Sequence, residues 1–385
     1  MPLSDNVTDA SRSGRILVVH SPLSLLHDPP HEILSGCVQP YFESPARYHT
    51  ILDALNTDKE RYGERKLDWE PGQVETDELT RAIEAVHERD YVAFLRGIYR
   101  EWIAEGGSKD AVLPESFLRR DLLLEPPSLP DNVDESAIAK TGRFSFDLSA
   151  PITRDTFAAS LASCRVALEA TDLVRKASQD GDAGVFALCR PPGHHATPAL
   201  CGGYCFLNNV ACAARHYQLG SPNLERAQVA ILDIDYHHGN GTSKVFYDDP
   251  SVLYVSLHGT PDYPYYTGAS SERGGPSARN LNLNYPLPLG TDDTTYLSTL
   301  REATSKISDF KPEILFVSLG VDTFADDPLT EFNITLEAYP EMGKIIGSLR
   351  MRTVFVMEGG YCLPAIGQCV KGVLDGFLST RNDDA

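Results

Sequence analysis

Residues 228–235 read QVAILDID, and the chain continues YHHGNGT to residue 242. The apolar part of this run is continuous, not alternating, which suits a strand covered on both faces, as in a parallel sheet. Its far end then places two aspartates and a histidine where the strand runs out. Five other short runs have the same grammar: RILVVHS (15–21), GVFALC (184–189), VLYVSLH (252–258), EILFVSLG (313–320) and TVFVMEG (353–359). Between them lie segments of helical length, namely Arg154 to Ser178, Asn208 to Leu219, Tyr296 to Ser308 and Leu336 to Ser348. This alternation predicts one α/β domain, an open parallel sheet with helices on both faces, over residues 15–380. Residues 1–14 are expected to form a flexible polar tail. The stretch 106–151 carries Pro114, Pro126, Pro127 and Pro130 and little periodicity, so it is expected to be an insertion loop within the domain.

Composition narrows the function classes. Of 385 residues, 42% are apolar and 23% charged, which is ordinary for a globular protein. The net charge of -20 argues against a nucleic-acid partner, which needs clustered Lys and Arg, and would draw in cationic ligands. No apolar run approaches the ~20 residues that span a bilayer, and the polar N-terminus lacks a secretory pattern. The eight cysteines are scattered without a CxxC pair, so reduced thiols in the cytoplasm, or the nucleus, are expected. Cys201 and Cys205 have no second pair to complete a structural zinc site.

The reactive residues follow the strands. RPPGHH (190–195) comes after GVFALC, Asp233 to His237 close QVAILDID, SLHG follows VLYV, Asp322 follows EILFVSLG, and EGGY ends at Tyr361. Ligands of open α/β sheets bind outside the carboxyl ends of strands, so five motifs converge on one edge. Asp233, Asp235 and His237 alternate along what reads as an extended segment and should share a face. Asp235, His237 and Asp322 make a three-ligand divalent site with an open fourth position. The mixed N/O set suits zinc, with iron(II) or cobalt as alternatives. The His194–His195 pair beside such a site points to general acid and base roles. Gly359 and Gly360 let the chain turn and bring the Tyr361 hydroxyl into the cleft, where it suits a developing oxyanion.

Together RPPGHHA, GGYCFLNN, ILDIDYHHGNGT, VSLHG, VSLGVDTFADDPL and MEGGY resemble the zinc-dependent deacetylase family on the arginase-like α/β fold. That family includes histone deacetylases and acetylpolyamine amidohydrolases. LHDPPHEIL (26–34), PYFESPAR (40–47) and the segment 102–151 are most similar to the acetylpolyamine branch. The resemblance implies Asp235, His237 and Asp322 as zinc ligands and His195 as general base and acid. It makes His194 an electrostatic partner held by Asp233, places Asn240 beside the pair, and has Tyr361 polarise the amide carbonyl. It also implies a structural potassium ion held by Asp233, Ser256 and Leu257 with backbone oxygens of Asp235 and His237. Gly203, Tyr204 and Tyr263 would wall a narrow tunnel, Leu329 would sit at its rim, and Glu32 would meet a distal ammonium. Either Glu135 or Asp147 could supply a second acid from the insertion. Small cationic acetylated amines are then the expected substrates and a homodimer the expected assembly, with protein acetyl-lysine as the alternative substrate. A binuclear arginase-type site is disfavoured, since Gly239 and Phe324 stand where it needs carboxylates.

Overall fold

The computed structural model describes residues 14–119, 135–177, 184–220 and 227–381. The expected N-terminal tail, Gly14 apart, and part of the insertion lie outside these ranges. In chain order the elements are β1 (Ile16–His20), β2 (His31–Leu34), β3 (Cys37–Pro40), α1 (Pro45–Asn56), β4 (Tyr62–Lys66), α2 (Asp77–Glu84), α3 (Arg89–Ala104), α4 (Ala137–Phe144) and α5 (Thr156–Lys176). They continue β5 (Gly184–Ala187), α6 (Asn209–Leu219), β6 (Val229–Asp233), α7 (Asn240–Phe246), β7 (Val252–Thr260), β8 (Asn282–Pro288), α8 (Asp293–Phe310), β9 (Ile314–Leu319), α9 (Ala338–Gly347), β10 (Thr353–Met357) and α10 (Leu363–Ser379).

Eight strands form one sheet in the order β4-β1-β5-β10-β9-β6-β7-β8, every pair parallel. The continuous apolar runs are explained by where alternate side chains go. In β6, Val229 and Ile231 enter a core built with α2 to α6, whereas Ala230 and Leu232 enter a second core built with α1, α8, α9 and α10. Both faces are dry, so the central strands are apolar over most of their length, with polar residues such as Asp233, Ser256 and Ser318 towards their carboxyl ends.

Six strands and four long helices were legible, with ends within three residues of expectation, close to the scatter usual for frayed termini. The two edge strands β4 and β8 escape the apolar-run rule. YGERK is exposed over its last three residues, and NLNYPLP carries Pro286 and Pro288, which only a sheet edge tolerates.

Two expectations need correction. The stretch 106–151 is not loop throughout: α4 interrupts it, and Val112, Ala137, Phe144 and Ala150 are buried in the first core. Residues 120–134 of it lie outside the described ranges. Secondly, β6 ends at Asp233, so Asp235 and His237 sit in the bend beyond the strand and not along its pleat.

The five motif-bearing strands, β5, β10, β9, β6 and β7, are contiguous in the sheet. Because all run the same way, their carboxyl ends deliver every reactive residue to one edge. Among the described residues no helix is long and apolar enough to cross a membrane.

Candidate active site

Asp235, His237 and Asp322 are brought together, and they are the only such group of three or more metal-ligating side chains among the described residues. Their donor atoms lie within 4.8 Å of one another. His237 Nδ1 is 3.0 Å from Asp322 Oδ2 and 3.3 Å from Asp235 Oδ1. Backbone amides orient the carboxylates: Gly359 N donates to Asp235 Oδ2 (2.8 Å), His237 N to Asp235 Oδ1 (2.9 Å) and Tyr236 N to Asp322 Oδ1 (3.0 Å).

The donor set fits a divalent cation. Both carboxylates are fully buried. Burial and the neighbouring Asp235 charge push Asp322 up to about 6. Burial also opposes the Asp235 and His237 charges, but His194 and His237 outweigh it to lower Asp235, and Asp235 and Asp322 outweigh it to raise His237 to about 10. A cation in place of the His237 proton would satisfy all three groups at once. The space is kept open by two glycines: a Cβ at Gly320 would fall 2.0 Å from Asp235 Oδ2, and one at Gly359 2.5 Å from Asp322 Oδ2.

The histidine pair lies alongside, with rings 4.0 Å apart, and the two are electrostatically distinct. His194 Nδ1 is 3.2 Å from Asp233 Oδ2, and its Nε2 3.7 Å from Asp235 Oδ1. Burial disfavours its charge, but Asp235 and Asp233 outweigh that and lift it to about 10. Among the described residues no carboxylate hydrogen-bonds to His195. Burial, with His194 and His237 as positive neighbours, holds it well below the usual histidine value. Its Nδ1 is 2.7 Å from Asn240 Oδ1. An amide oxygen only accepts, so Nδ1 carries the proton and Nε2 keeps a lone pair.

A cavity of about 320 Å³ opens from this centre to solvent. His195, Gly203, Tyr204, His237, Tyr263, Leu329 and Tyr361 all line it. Tyr204 projects from a two-residue turn in which Gly203 and Tyr204 have φ of 54° and 64°. Mutual hydrogen bonds between Gly202 and Cys205 close that turn. A left-handed tyrosine is strained, and such strain concentrates at functional sites. The Tyr361 ring lies 5.4 Å from that of Tyr204, and burial keeps its hydroxyl protonated.

Glu32 is placed elsewhere. It is 1% exposed, its carboxylate accepts the Phe42 amide at 2.9 Å and faces the Tyr204 hydroxyl, and it does not line the cavity. Glu135 pairs with Arg143 at 3.2 Å, also away from the cavity. Asp147 lies behind the cavity wall.

Several residues were missed by sequence reasoning. Glu358 Oε2 accepts the amides of Gly193 (2.7 Å) and His194 (3.1 Å) and so holds the histidine loop in place. Asp327 does the same for the turn of Tyr361, whose amide donates to it at 2.6 Å. Arg47, fully buried, donates to Gly360 O at 2.6 Å and lies over the Tyr361 ring. Asp262 and the exposed Glu331 stand at the cavity wall. Glu358 and Asp327 sit inside quoted motifs, so their position was a signal. Asp262 and Glu331 had none.

The histone deacetylase domain family model matches residues 41–377. The chain belongs to this histone deacetylase family. Within the family it is 40% identical to acetylpolyamine amidohydrolase 2 of Pseudomonas aeruginosa, over 94% of this chain and 98% of that one. It is 38% identical to acetylpolyamine amidohydrolase 1 of the same organism, over 94% and 99%. Among solved members, an acetylpolyamine aminohydrolase from Burkholderia pseudomallei superposes with a TM-score of 0.83 at 31% identity, covering 95% of this chain and all of the other. The family match spans β5, β6, β7, β9 and β10, the strands that carry the site motifs.

Proposed function

We propose that this chain is a zinc-dependent amidohydrolase that removes acetyl groups from small cationic amines, acetylated polyamines foremost. The observation that carries this reading is the meeting of Asp235, His237 and Asp322 with the neutral His195 at the end of one tyrosine-walled cavity. The names of the similar proteins and the cavity's charge favour the substrate class. Among the described residues its lining includes Asp262 and Glu331 and no Lys or Arg.

Zinc held by Asp235, His237 and Asp322 would supply Lewis acidity for the acetyl carbonyl and a water of pKa near ~7. The rest is done by the chain's own residues. Tyr204, Tyr263 and Leu329 flank the alkyl stem and keep bulk water out. His195 Nε2 takes the proton of the attacking water, with Nδ1 held by Asn240. His194, kept cationic by Asp233 and Asp235, disfavours a second lasting charge on His195, so the proton is readily passed to the departing amine. The Tyr361 hydroxyl donates to the acetyl oxygen as negative charge develops there.

A structural potassium ion would lie at Asp233, Ser256 and Leu257 with backbone oxygens of Asp235 and His237. Asp233 and Ser256 are cross-strand partners, both fully buried, and an all-oxygen set suits a hard cation. A homodimer and a cytoplasmic location complete the proposal. Sizing chromatography tests the first: elution as a monomer overturns it.

The deciding experiment is a panel of acetylputrescine, acetylspermidine and acetyl-lysine peptides, assayed before and after chelation. Preference for the polyamines with loss on chelation is expected. Preference for peptides would instead make the chain a protein lysine deacetylase.

A further inference from the structure

The last residues of the insertion reach the active site from behind. Cys201 N donates to Phe144 O (2.9 Å) and Phe146 N to Cys201 O (3.0 Å), so residues 144–146 pair with the strand-like approach to Tyr204. The Phe146 ring stacks on Tyr263, centroids 6.4 Å apart. One residue on, Asp147 turns its carboxylate inward. Its Oδ2 accepts the Tyr263 hydroxyl (2.7 Å), the Ser149 hydroxyl (2.8 Å) and the Gly203 amide (2.9 Å), while Oδ1 accepts the Ser149 amide (3.1 Å).

Tyr263 and the Gly203–Tyr204 turn are different walls of the cavity. Tyr263 packs edge-on against His195 and His237, at 5.0 and 5.8 Å, whereas Tyr204 faces Tyr361. They come from segments far apart in the chain, and one carboxylate oxygen bonds to both. No side chain could separate them at this point, since a Cβ on Gly203 would fall 2.8 Å from the Tyr263 hydroxyl and 2.4 Å from the His195 ring. A phenylalanine at 263 would line the cavity equally well but could not be tied.

We infer that Asp147 is a positioning residue: it pins the Tyr263 wall to the Gly203–Tyr204 wall, sets the width of the slot beside His195, and thereby restricts the substrate to unbranched acylated amines. Its four accepted hydrogen bonds leave it no role as a free counter-ion for the substrate ammonium. Burial raises the proton affinity of this carboxyl, and the donors of Tyr263, Gly203 and Ser149 counter that only in part. The assignment rests on the amidohydrolase reading above, but concerns which residue shapes the slot and not which reaction occurs.

The test is a double-mutant cycle of Asp147→Asn and Tyr263→Phe, assayed with acetylputrescine and with N-butylacetamide, which lacks the second ammonium. Each single variant is expected to raise KM about tenfold with kcat within about threefold, equally for both substrates, and the double variant to be no worse than the worse single. A KM penalty confined to acetylputrescine would make Asp147 an ammonium-binding residue and overturn the proposal. Additive effects would do the same. Run on thermal melting, the cycle reads the Asp147–Tyr263 coupling without turnover: non-additive destabilisation supports the pin and additive destabilisation refutes it. A wild type inactive on both amides would instead refute the function proposed above, leaving the melting cycle to decide the pin.

Discussion

His195 Nδ1 lies 2.7 Å from the Oδ1 of Asn240, so the second histidine of the pair is braced by an uncharged amide. Its neighbour His194 is braced by the Asp233 carboxylate instead. Burial and the positive neighbours His194 and His237 then lower His195, whereas Asp235 and Asp233 outweigh burial at His194, so the two adjacent imidazoles have opposite proton affinities. One is raised to about 10, and the other lies well below the ordinary value of ~6.5.

This splitting predicts a pH profile. His195 must be neutral to accept a proton, so activity is retained above its pKa and lost as pH falls through it. Because that pKa is lowered, the acid limb of kcat/KM should lie below pH ~6.5. Asn240→Asp introduces a carboxylate that favours the imidazolium, so the limb should move to higher pH by about one unit. A limb that stays in place would mean that His195 is not the group titrating.

Tyr361→Phe removes a donor while keeping the ring that packs on Tyr204 and under Arg47. The expected result is a fall in kcat of roughly 100-fold or more with KM little changed, as for loss of an oxyanion donor. Steady-state kinetics on acetylputrescine checks it. A kcat within a few-fold of wild type removes Tyr361 from the chemistry.

Metal removal should act on both activity and stability. Dialysis against a chelator is expected to abolish hydrolysis and zinc to restore it. Zinc at 100 times its Kd should add about 2.7 kcal/mol to the folded state, visible as a higher Tm. Gly359→Ala should lose metal content without any change of ligand, because its Cβ would fall 2.5 Å from Asp322 Oδ2 and 2.6 Å from Asp235 Oδ2.

Glu331 and Asp262 at the cavity wall carry the remaining prediction. Glu331→Gln should raise KM for acetylputrescine by up to about fivefold at low salt, since an exposed ion pair is worth ~1 kcal/mol or less. N-butylacetamide should be unaffected, and the difference should shrink as salt rises. Equal effects on both amides would mean that Glu331 shapes the opening without reading charge.

That Asp235, His237, Asp322, the histidine pair and Tyr361 would meet at one edge was legible because each follows an apolar run that a buried parallel strand explains. Chain direction then forces them to one edge. Glu32 was misplaced for the opposite reason. Its hairpin, β2 with β3, folds back so that the Phe42 amide captures the carboxylate, a contact that no local pattern encodes.

What the sequence by itself determined is the set of groups and the edge on which they meet, since strand periodicity and strand direction are local properties of the chain. Only the tertiary structure decided their electrical states and the shape of the opening. His194 and His195 are identical neighbours in the sequence, yet Asp235 and Asp233 raise the proton affinity of the first, while burial and the positive neighbours His194 and His237 lower that of the second. Likewise the slot is closed by a carboxylate of the insertion bonding to Tyr263 and Gly203, three segments whose approach depends on packing across the whole domain. Proton affinity and cavity width arise from distances between parts far apart in the chain, and those distances exist only after folding.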